Sequence, residues 1–311
     1  MLNVQENILL SNHTSFRIGG PAKQFVEVST EEELIEALNF AKKNNLPYFI
    51  LGGGSNLLVN DKGFEGLVIK IKMSQIKVEK SSNTVEAQAG VPLARIVNSS
   101  IAESMTGMEW AAGIPGTIGG AVRGNAGAFG GETGDAVESV KVFDAEAETY
   151  KEFSKDECQF SYRESIFKKN QNLIIISVKI KLAPGNKEES MEKIKSIIPK
   201  RIALQTPGTT NAGSYFVNPV TEKKELIEEF EKEKNVKSKG GKVPAGWLME
   251  KADLKGKKIG GAMVSEDNAV YFLNTGGATA ENVIMLSSIV KQQVRDKFGV
   301  ELREEVEMLG F

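Results

Sequence analysis

The sequence predicts an α+β protein built as two or three lobes, and three observations carry that prediction. A chain of 311 residues, 41% of them hydrophobic, holds more apolar material than one core usually gathers. Helical and extended patterns alternate along it instead of segregating into one class. Two glycine-dense turns interrupt the N-terminal half, and the first of them directly follows an apolar run.

Each element has a local reason. Phe25-Val26-Glu27-Val28 reads as a strand, and Ser29-Thr30 caps a helix over 31–45 whose acids fall in the first turn and bases in the last. Tyr48-Phe49-Ile50-Leu51 is a short apolar strand that runs into Gly52-Gly53-Gly54-Ser55-Asn56, so strand, helix, strand and glycine turn form a βαβ unit ending in a ligand loop. Residues 67–71 add another strand. A strand at 85–90, a helix near 92–104 and strands at 137–143 and 173–182 make a second α+β lobe. Residues 183–187, Ala-Pro-Gly-Asn-Lys, read as a linker. The third lobe has a helix at 188–204, the segment 213–219, a charged helix over 222–234, the segment 259–264 and a long helix at 280–298. In the charged helix Leu226, Ile227 and Phe230 share one face, which predicts a solvated surface helix without chemistry. Alternation over 301–307 sets Leu302, Glu304 and Val306 on one face and Glu301, Arg303, Glu305 and Glu307 on the other. There is no internal repeat or low-complexity tract.

Composition excludes several classes. With 39 basic and 41 acidic residues the net charge is -2, so no electrostatic footprint for nucleic acid exists. One cysteine, Cys158, and one histidine, His13, exclude a disulfide framework and argue against a His/Cys metal site. The N-terminus lacks a signal-peptide pattern, and no segment approaches the roughly 20 apolar residues of a membrane span, which predicts a cytoplasmic protein.

The glycine clusters carry the first functional signal. Residues 113–134 hold nine glycines. Glycine permits positive φ and lets main-chain N–H groups close on a ligand, so such density suggests an anion or ring system held by backbone. The triple glycine lacks a following Gly-Lys-Ser/Thr, and no GxGxxG opens a first helix, so neither common nucleotide motif is present.

Three polar positions are candidates. Arg163, in Phe160-Ser161-Tyr162-Arg163-Glu164-Ser165, could offer a rigid fork to a carboxylate or enolate, though its local sequence alone favours a surface ion pair. Ser214, in Asn211-Ala212-Gly213-Ser214-Tyr215-Phe216-Val217-Asn218-Pro219, reads as a proton donor or as a turn cap. Glu305 reads locally as part of a solvated strand. A Ser-His-Asp hydrolase is excluded because His13 lies far from any nucleophile elbow.

Further motifs are Thr14-Ser15-Phe16-Arg17-Ile18-Gly19-Gly20-Pro21-Ala22, Gly113-Ile114-Pro115-Gly116-Thr117-Ile118-Gly119-Gly120, Asn125-Ala126-Gly127-Ala128, Tyr162-Arg163-Glu164-Ser165, Pro244-Ala245-Gly246-Trp247-Leu248, Lys258-Ile259-Gly260-Gly261-Ala262 and Glu304-Glu305-Val306. With the glycine turn at 51–56 and the segment at 213–219, they resemble the UDP-N-acetylenolpyruvoylglucosamine reductases (UDP-N-acetylmuramate dehydrogenases), flavoenzymes of bacterial cell-wall precursor synthesis. The likeness spans nearly the whole chain, and the short stretch between Leu182 and Gly213 resembles the family's second type, which lacks a tyrosine-bearing loop.

The resemblance implies an α+β architecture with a two-lobed FAD-binding fold of the vanillyl-alcohol-oxidase kind (lobes at 1–72 and 73–185), a third α+β substrate-binding domain at 186–300, and a C-terminal strand at 301–311 returning to the active site. It implies FAD held noncovalently, NADPH as reductant, and UDP-N-acetylglucosamine enolpyruvate as substrate of a monomer that binds neither nucleic acid nor membrane. Gly52, Gly53, Gly54, Ser55 and Asn56 are expected at the FAD pyrophosphate. Gly113, Ile114, Pro115, Gly116, Thr117, Gly119 and Gly120, with Asn125, Ala126, Gly127 and Ala128, are expected along the flavin. The reaction the resemblance implies has two halves: NADPH reduces FAD and leaves, and the enolpyruvyl ether then takes hydride from flavin N5 at C3 and a proton at C2. On this reading Arg163 stabilises the enolate, Glu305 assists it, and Ser214 protonates C2. Asn218, Arg201 and Gln205 are expected at the substrate diphosphate.

Two stretches depart from the family pattern: Asn268 stands where many relatives have histidine, and Arg123-Gly124 precedes Asn125 at a site usually apolar or small. Two other readings compete with the reductase. One is an oxidase of the same flavin fold, which often tethers flavin through His or Cys; the other is a flavin- or nucleotide-sugar-binding regulator without turnover.

Overall fold

The computed structural model describes residues 2–203 and 206–311. Its elements run β1 (Gln5–Leu9), β2 (Pro21–Val28), α1 (Glu31–Lys43), β3 (Tyr48–Leu51), β4 (Leu57–Val59), β5 (Phe64–Ile71), β6 (Ile76–Glu79), β7 (Thr84–Gln88), α2 (Leu93–Ala102), β8 (Met105–Thr106), α3 (Ile118–Arg123), β9 (Gly127–Ala128), β10 (Gly131–Glu132) and α4 (Thr133–Ala136). They continue with β11 (Val137–Asp144), β12 (Thr149–Ser154), α5 (Ile166–Lys169), β13 (Leu173–Lys181), β14 (Ala183–Pro184), α6 (Lys187–Ile202), α7 (Lys224–Lys234), α8 (Ala245–Lys251), β15 (Lys258–Ile259), β16 (Ala262–Val264), β17 (Phe272–Asn274), α9 (Ala280–Phe298) and β18 (Glu307–Leu309). Among the described residues no helix is long and apolar enough to cross a membrane.

The chain divides into two compact units. The first gathers the described residues through Ile8, Ala22–Gly53 and Glu65–Ala203; the second gathers Leu9–Pro21, Gly54–Phe64 and residues 206–311. This grouping cuts across the lobes expected from the sequence, which placed 9–21 and 54–64 with the first lobe and 187–202 with the third.

In the first unit, one sheet has the order β1-β2-β5-β3 and the other β12-β11-β13-β7-β6. The expected strand-helix-strand unit is present, with a modification: β5 lies between β2 and β3, and β3 runs parallel to β5. Thr30 caps α1 by accepting the Glu33 N–H at 3.2 Å, and Leu34, Ala37, Leu38 and Ala41 are buried at helical spacing. The second sheet is antiparallel throughout. Its central strand β13 is buried almost end to end, which explains the continuous apolar run Leu173-Ile174-Ile175-Ile176.

Residues 183–185 are no linker. β14 pairs antiparallel with β8, and the Gly185 N–H donates to the Ser104 carbonyl at 2.8 Å. Helix α6 therefore stays with the first unit, where Ile194 and Ile198 pack against its core. Glu109 fastens it: this buried carboxylate accepts hydrogen bonds from Ser190 Oγ of α6 at 2.5 Å, Thr106 Oγ1 at 2.5 Å and the Gly107 N–H at 2.8 Å. Burial pushes its carboxyl up, but the three donors outweigh this and hold it down to about 2.

The second unit has its own core, in which Leu58, Phe216, Trp247, Phe272, Leu286 and Val290 are buried. A three-stranded sheet runs β15-β16-β17. The segment 259–264 is a tight hairpin, because Gly260 at φ 53 helps reverse the chain between β15 and β16. Helix α9 has the predicted bounds. Its first turn donates to Asp61, from the Ala280 N–H at 2.8 Å and the Glu281 N–H at 3.1 Å. At the chain end β18 pairs parallel with β4.

Candidate active site

The two glycine loops meet inside the first unit. A methyl at Gly53 would lie 2.8 Å from the Gly116 Cα, so this approach of two main chains requires glycine. Gly116, at φ 117, also holds a conformation closed to most side chains. Beside them Thr117 Oγ1 is buried without a hydrogen-bond partner, a polar atom of the kind a ligand completes. Gly119 is packed on Ala89, and Gly120 is exposed. A cleft enclosing about 700 Å³ of empty space, part of it open to solvent, runs along Tyr48, Gly52, Thr117, Gly120, Arg123 and Gln171, with Ile174 and Ile175 in its apolar wall. A cation, two glycine loops and an apolar wall suit a ligand with a ring system and a phosphate.

The motifs at 125–128 and 162–165 form one substructure. Asn125 is fully buried; its Nδ2 donates to the Ser161 carbonyl at 2.9 Å and its Oδ1 accepts the Gly134 N–H at 2.9 Å. Ser165 Oγ donates to the Arg123 carbonyl at 2.7 Å. Ser161 and Glu164 exchange backbone hydrogen bonds at 3.0 and 3.1 Å, closing a turn that places Arg163 at φ 61. A non-glycine residue there costs on the order of 1 kcal/mol, so the surroundings must hold it. Its Nη2 donates to the Gly127 carbonyl at 3.0 Å. Gly127 and Ala128 lie in the short ribbon with Gly131 and Glu132, while Ala126 accepts from Thr133.

Ser214 and Glu305 are both in the second unit. Ser214 bridges to Tyr271, the Tyr215 N–H donates to the Val270 carbonyl at 2.9 Å, and the Glu305 N–H donates to the Tyr215 carbonyl at 2.8 Å. The extended segment of Ser214 thus lies between 270–271 and 304–305. Asn56 also reaches this place, its Nδ2 donating to the Glu305 carbonyl at 3.0 Å. Gly54, at φ 64, accepts the Ser15 N–H at 3.0 Å. Next to Glu305, Glu304 accepts from Ser287 Oγ and Lys291 Nζ, each at 3.0 Å. Leu302 and Val306 are buried as the alternation predicts, whereas Glu305 and Glu307, expected on the solvated face, are half-buried like Glu304.

The residues expected at the diphosphate belong to different units, Asn218 to the second and Arg201 to the first. Asn218 Oδ1 accepts the Ala245 N–H at 3.0 Å, at the start of α8. Arg201 lies in the first unit, where its Nη2 donates to the Trp110 carbonyl at 3.0 Å and its guanidinium stands 4.9 Å from the Phe129 ring centroid. Gln205 lies outside the described residues. Cys158 is buried, and burial, then Glu157, push its thiol up to about 12, an environment that suppresses the thiolate a covalent tether needs.

Sequence reasoning does not single out Tyr48 or Gln171 as cleft residues, nor Lys168 and Glu109. Tyr48 opens the predicted strand before the glycine turn, which is a usable signal; Gln171 and Glu109 offer none.

Residues 22–151 match the family model described as the FAD binding domain. The protein is therefore of the FAD-dependent class, in keeping with the glycine cradle and the cleft. Residues 205–309 match the model of the UDP-N-acetylenolpyruvoylglucosamine reductase C-terminal domain. A reductase of that name from Carboxydothermus hydrogenoformans is 39% identical over 308 residues, covering 99% of this chain and 94% of its own. That from Alkaliphilus oremlandii is 38% identical over 301 residues, covering 97% and 91%. The crystal structure of the Thermus caldophilus reductase is similar at a TM-score of 0.78 with 30% identity, covering 99% of this chain and all of its own. The chain belongs to the UDP-N-acetylenolpyruvoylglucosamine reductase family.

Proposed function

We propose that Arg163, Ser214 and Glu305 carry the reduction of UDP-N-acetylglucosamine enolpyruvate to UDP-N-acetylmuramate in the cytoplasm, by a monomer driven by NADPH. The observation that carries this reading is the backbone pairing of Glu305 with Tyr215, which sets Ser214 and Glu305 on neighbouring extended segments within a chain related to these reductases along its whole length.

On this reading FAD lies in the cleft lined by Gly52, Thr117 and Gly120, next to the close approach of Gly53 and Gly116, with the Thr117 hydroxyl as a donor. The chemistry FAD supplies when bound is hydride transfer, from NADPH to C3 of the enolpyruvyl group. The chain's own residues handle charge and protons. Arg163 presents a guanidinium, fixed by the Gly127 carbonyl, to the carboxylate whose negative charge grows as C3 is reduced. Ser214 gives its hydroxyl proton to C2, which is basic enough at that stage to take it, and regains one from solvent. Glu305 supports the enolate as a hydrogen-bonded acid against the carboxylate. Asn218, Arg201 and Gln205 contact the diphosphate.

The test is an anaerobic spectral titration of FAD-loaded protein, adding NADPH and then the enolpyruvyl substrate. Bleaching of the flavin band followed by prompt recovery is expected. Recovery only on admission of air identifies an oxidase, and failure to bind FAD overturns the reading.

A further inference from the structure

We infer that Lys168 is a positioning residue for Arg163, an assignment that rests on the role proposed for Arg163. The peptide between Arg163 and Glu164 is held at both ends. Its N–H, on Glu164, donates to the Ser161 carbonyl at 3.0 Å; its carbonyl, on Arg163, accepts Lys168 Nζ at 2.9 Å. The Ser161 carbonyl also receives Asn125 Nδ2, so one side of this peptide plane is tied to the buried asparagine and the other to the ammonium.

The plane matters because Arg163 sits at φ 61, a left-handed conformation that a branched or long side chain leaves unless its carbonyl is engaged. Relaxation to an ordinary conformation swings the Arg163 carbonyl away from Lys168 and the guanidinium away from the Gly127 carbonyl. A charged donor on a carbonyl is among the stronger hydrogen bonds available for such a task. Lys168 is itself placed: it lies in α5, Ser165 caps that turn by accepting the Lys168 N–H at 3.3 Å, and Ser165 Oγ is anchored on the Arg123 carbonyl. Its second partner, Glu164 Oε1 at 3.1 Å, balances the charge without engaging Arg163. The ammonium therefore acts through geometry and touches no reacting atom.

The test uses FAD-loaded protein and separates the two half-reactions by stopped flow, with FAD affinity and thermal midpoint measured alongside. Lys168→Met is expected to slow oxidation by the enolpyruvyl substrate about 10- to 100-fold while changing reduction by NADPH less than about twofold, since a misplaced catalytic group costs on this scale. FAD affinity is expected to stay within about twofold, because Lys168 acts on the Arg163 peptide. Lys168→Arg restores most of the rate, and Glu164→Gln leaves it within about threefold, because the carbonyl contact remains. In an Arg163→Ala background Lys168→Met adds less than about twofold. Equal slowing of both half-reactions, or full additivity with Arg163→Ala, overturns the assignment. If Arg163→Ala alone leaves substrate-driven oxidation intact, the role of Arg163 fails instead. Should Lys168→Met not fold, Lys168→Arg and Glu164→Gln decide the question: slow oxidation in the glutamine variant alone places the function in the ion pair and overturns the carbonyl contact.

Discussion

The N–H of Glu305 donates to the carbonyl oxygen of Tyr215 at 2.8 Å, and through this bond the end of the chain is registered against the residue next to Ser214. The same segment is also fixed by Glu304, which accepts from Ser287 Oγ and Lys291 Nζ of α9. A serine hydroxyl is a weak acid, so it protonates only a strongly basic carbon, and only when held in place.

Ser214→Ala is therefore expected to leave reduction by NADPH intact and to lower oxidation by the enolpyruvyl substrate by roughly 10²- to 10⁴-fold, the scale of a lost general acid. Single-turnover kinetics with the pre-reduced protein read this directly. Equal loss in both half-reactions removes Ser214 from the proton-donor role.

Glu109 predicts a pH effect on stability. Its carboxyl is held at about 2 in the folded state against 4.5 ordinarily, so the contribution is fully present above pH 4.5 and is lost as the pH falls toward 2. A shift of this size corresponds to at most about 3 kcal/mol. Glu109→Gln keeps the shape but removes the charge. It is expected to lower the thermal midpoint at pH 7, to narrow the gap between the two proteins as the pH falls below 4.5, and to bring their midpoints together near pH 2. A constant gap between them across that range places the contribution in packing.

Much of this arrangement was legible in the sequence, for identifiable reasons. Helix α1 announces itself through the Ser29-Thr30 cap and helical apolar spacing, both local signals. The glycine turns are visible because close backbone approach demands glycine, whereas Arg163 stands out only through the family resemblance. What the sequence hid is long-range. An acid such as Glu109 ordinarily reads as exposed, and its partner Ser190 lies 81 residues away. The same holds for Asp61, which caps α9 from 219 residues away, and for the grouping of 54–64 with the C-terminal unit. The sequence around 183–187 looked like a linker because Pro and Gly punctuate loops, yet the β8 edge holds it.

Gly53→Ala tests the glycine cradle. The added methyl meets the Gly116 Cα at 2.8 Å, and neither main chain can yield as a side chain would. The loops must separate, so FAD affinity is expected to fall at least about tenfold while the melting temperature of the FAD-free protein drops by only a few degrees, as about 1 kcal/mol of strain implies. Flavin fluorescence quenching measures the first and calorimetry the second. Unchanged FAD affinity places the cofactor away from these loops.

Arg123 offers the complementary test from the charge side. It supplies the cationic side chain among the residues lining the cleft, beside Gly52, Thr117 and Gly120, and its backbone is fixed by Ser165. An arginine facing glycine main chains gives a phosphate both a charged fork and N–H groups. Arg123→Ala is expected to weaken FAD binding about tenfold, with Arg123→Lys intermediate because the charge persists and the planar fork does not. ADP, which carries the phosphates without the flavin, should compete with FAD in the parent protein and lose that ability in Arg123→Ala, as measured by fluorescence titration at fixed salt. Competition by ADP that is unchanged in the alanine variant assigns the phosphate contact to the backbone alone.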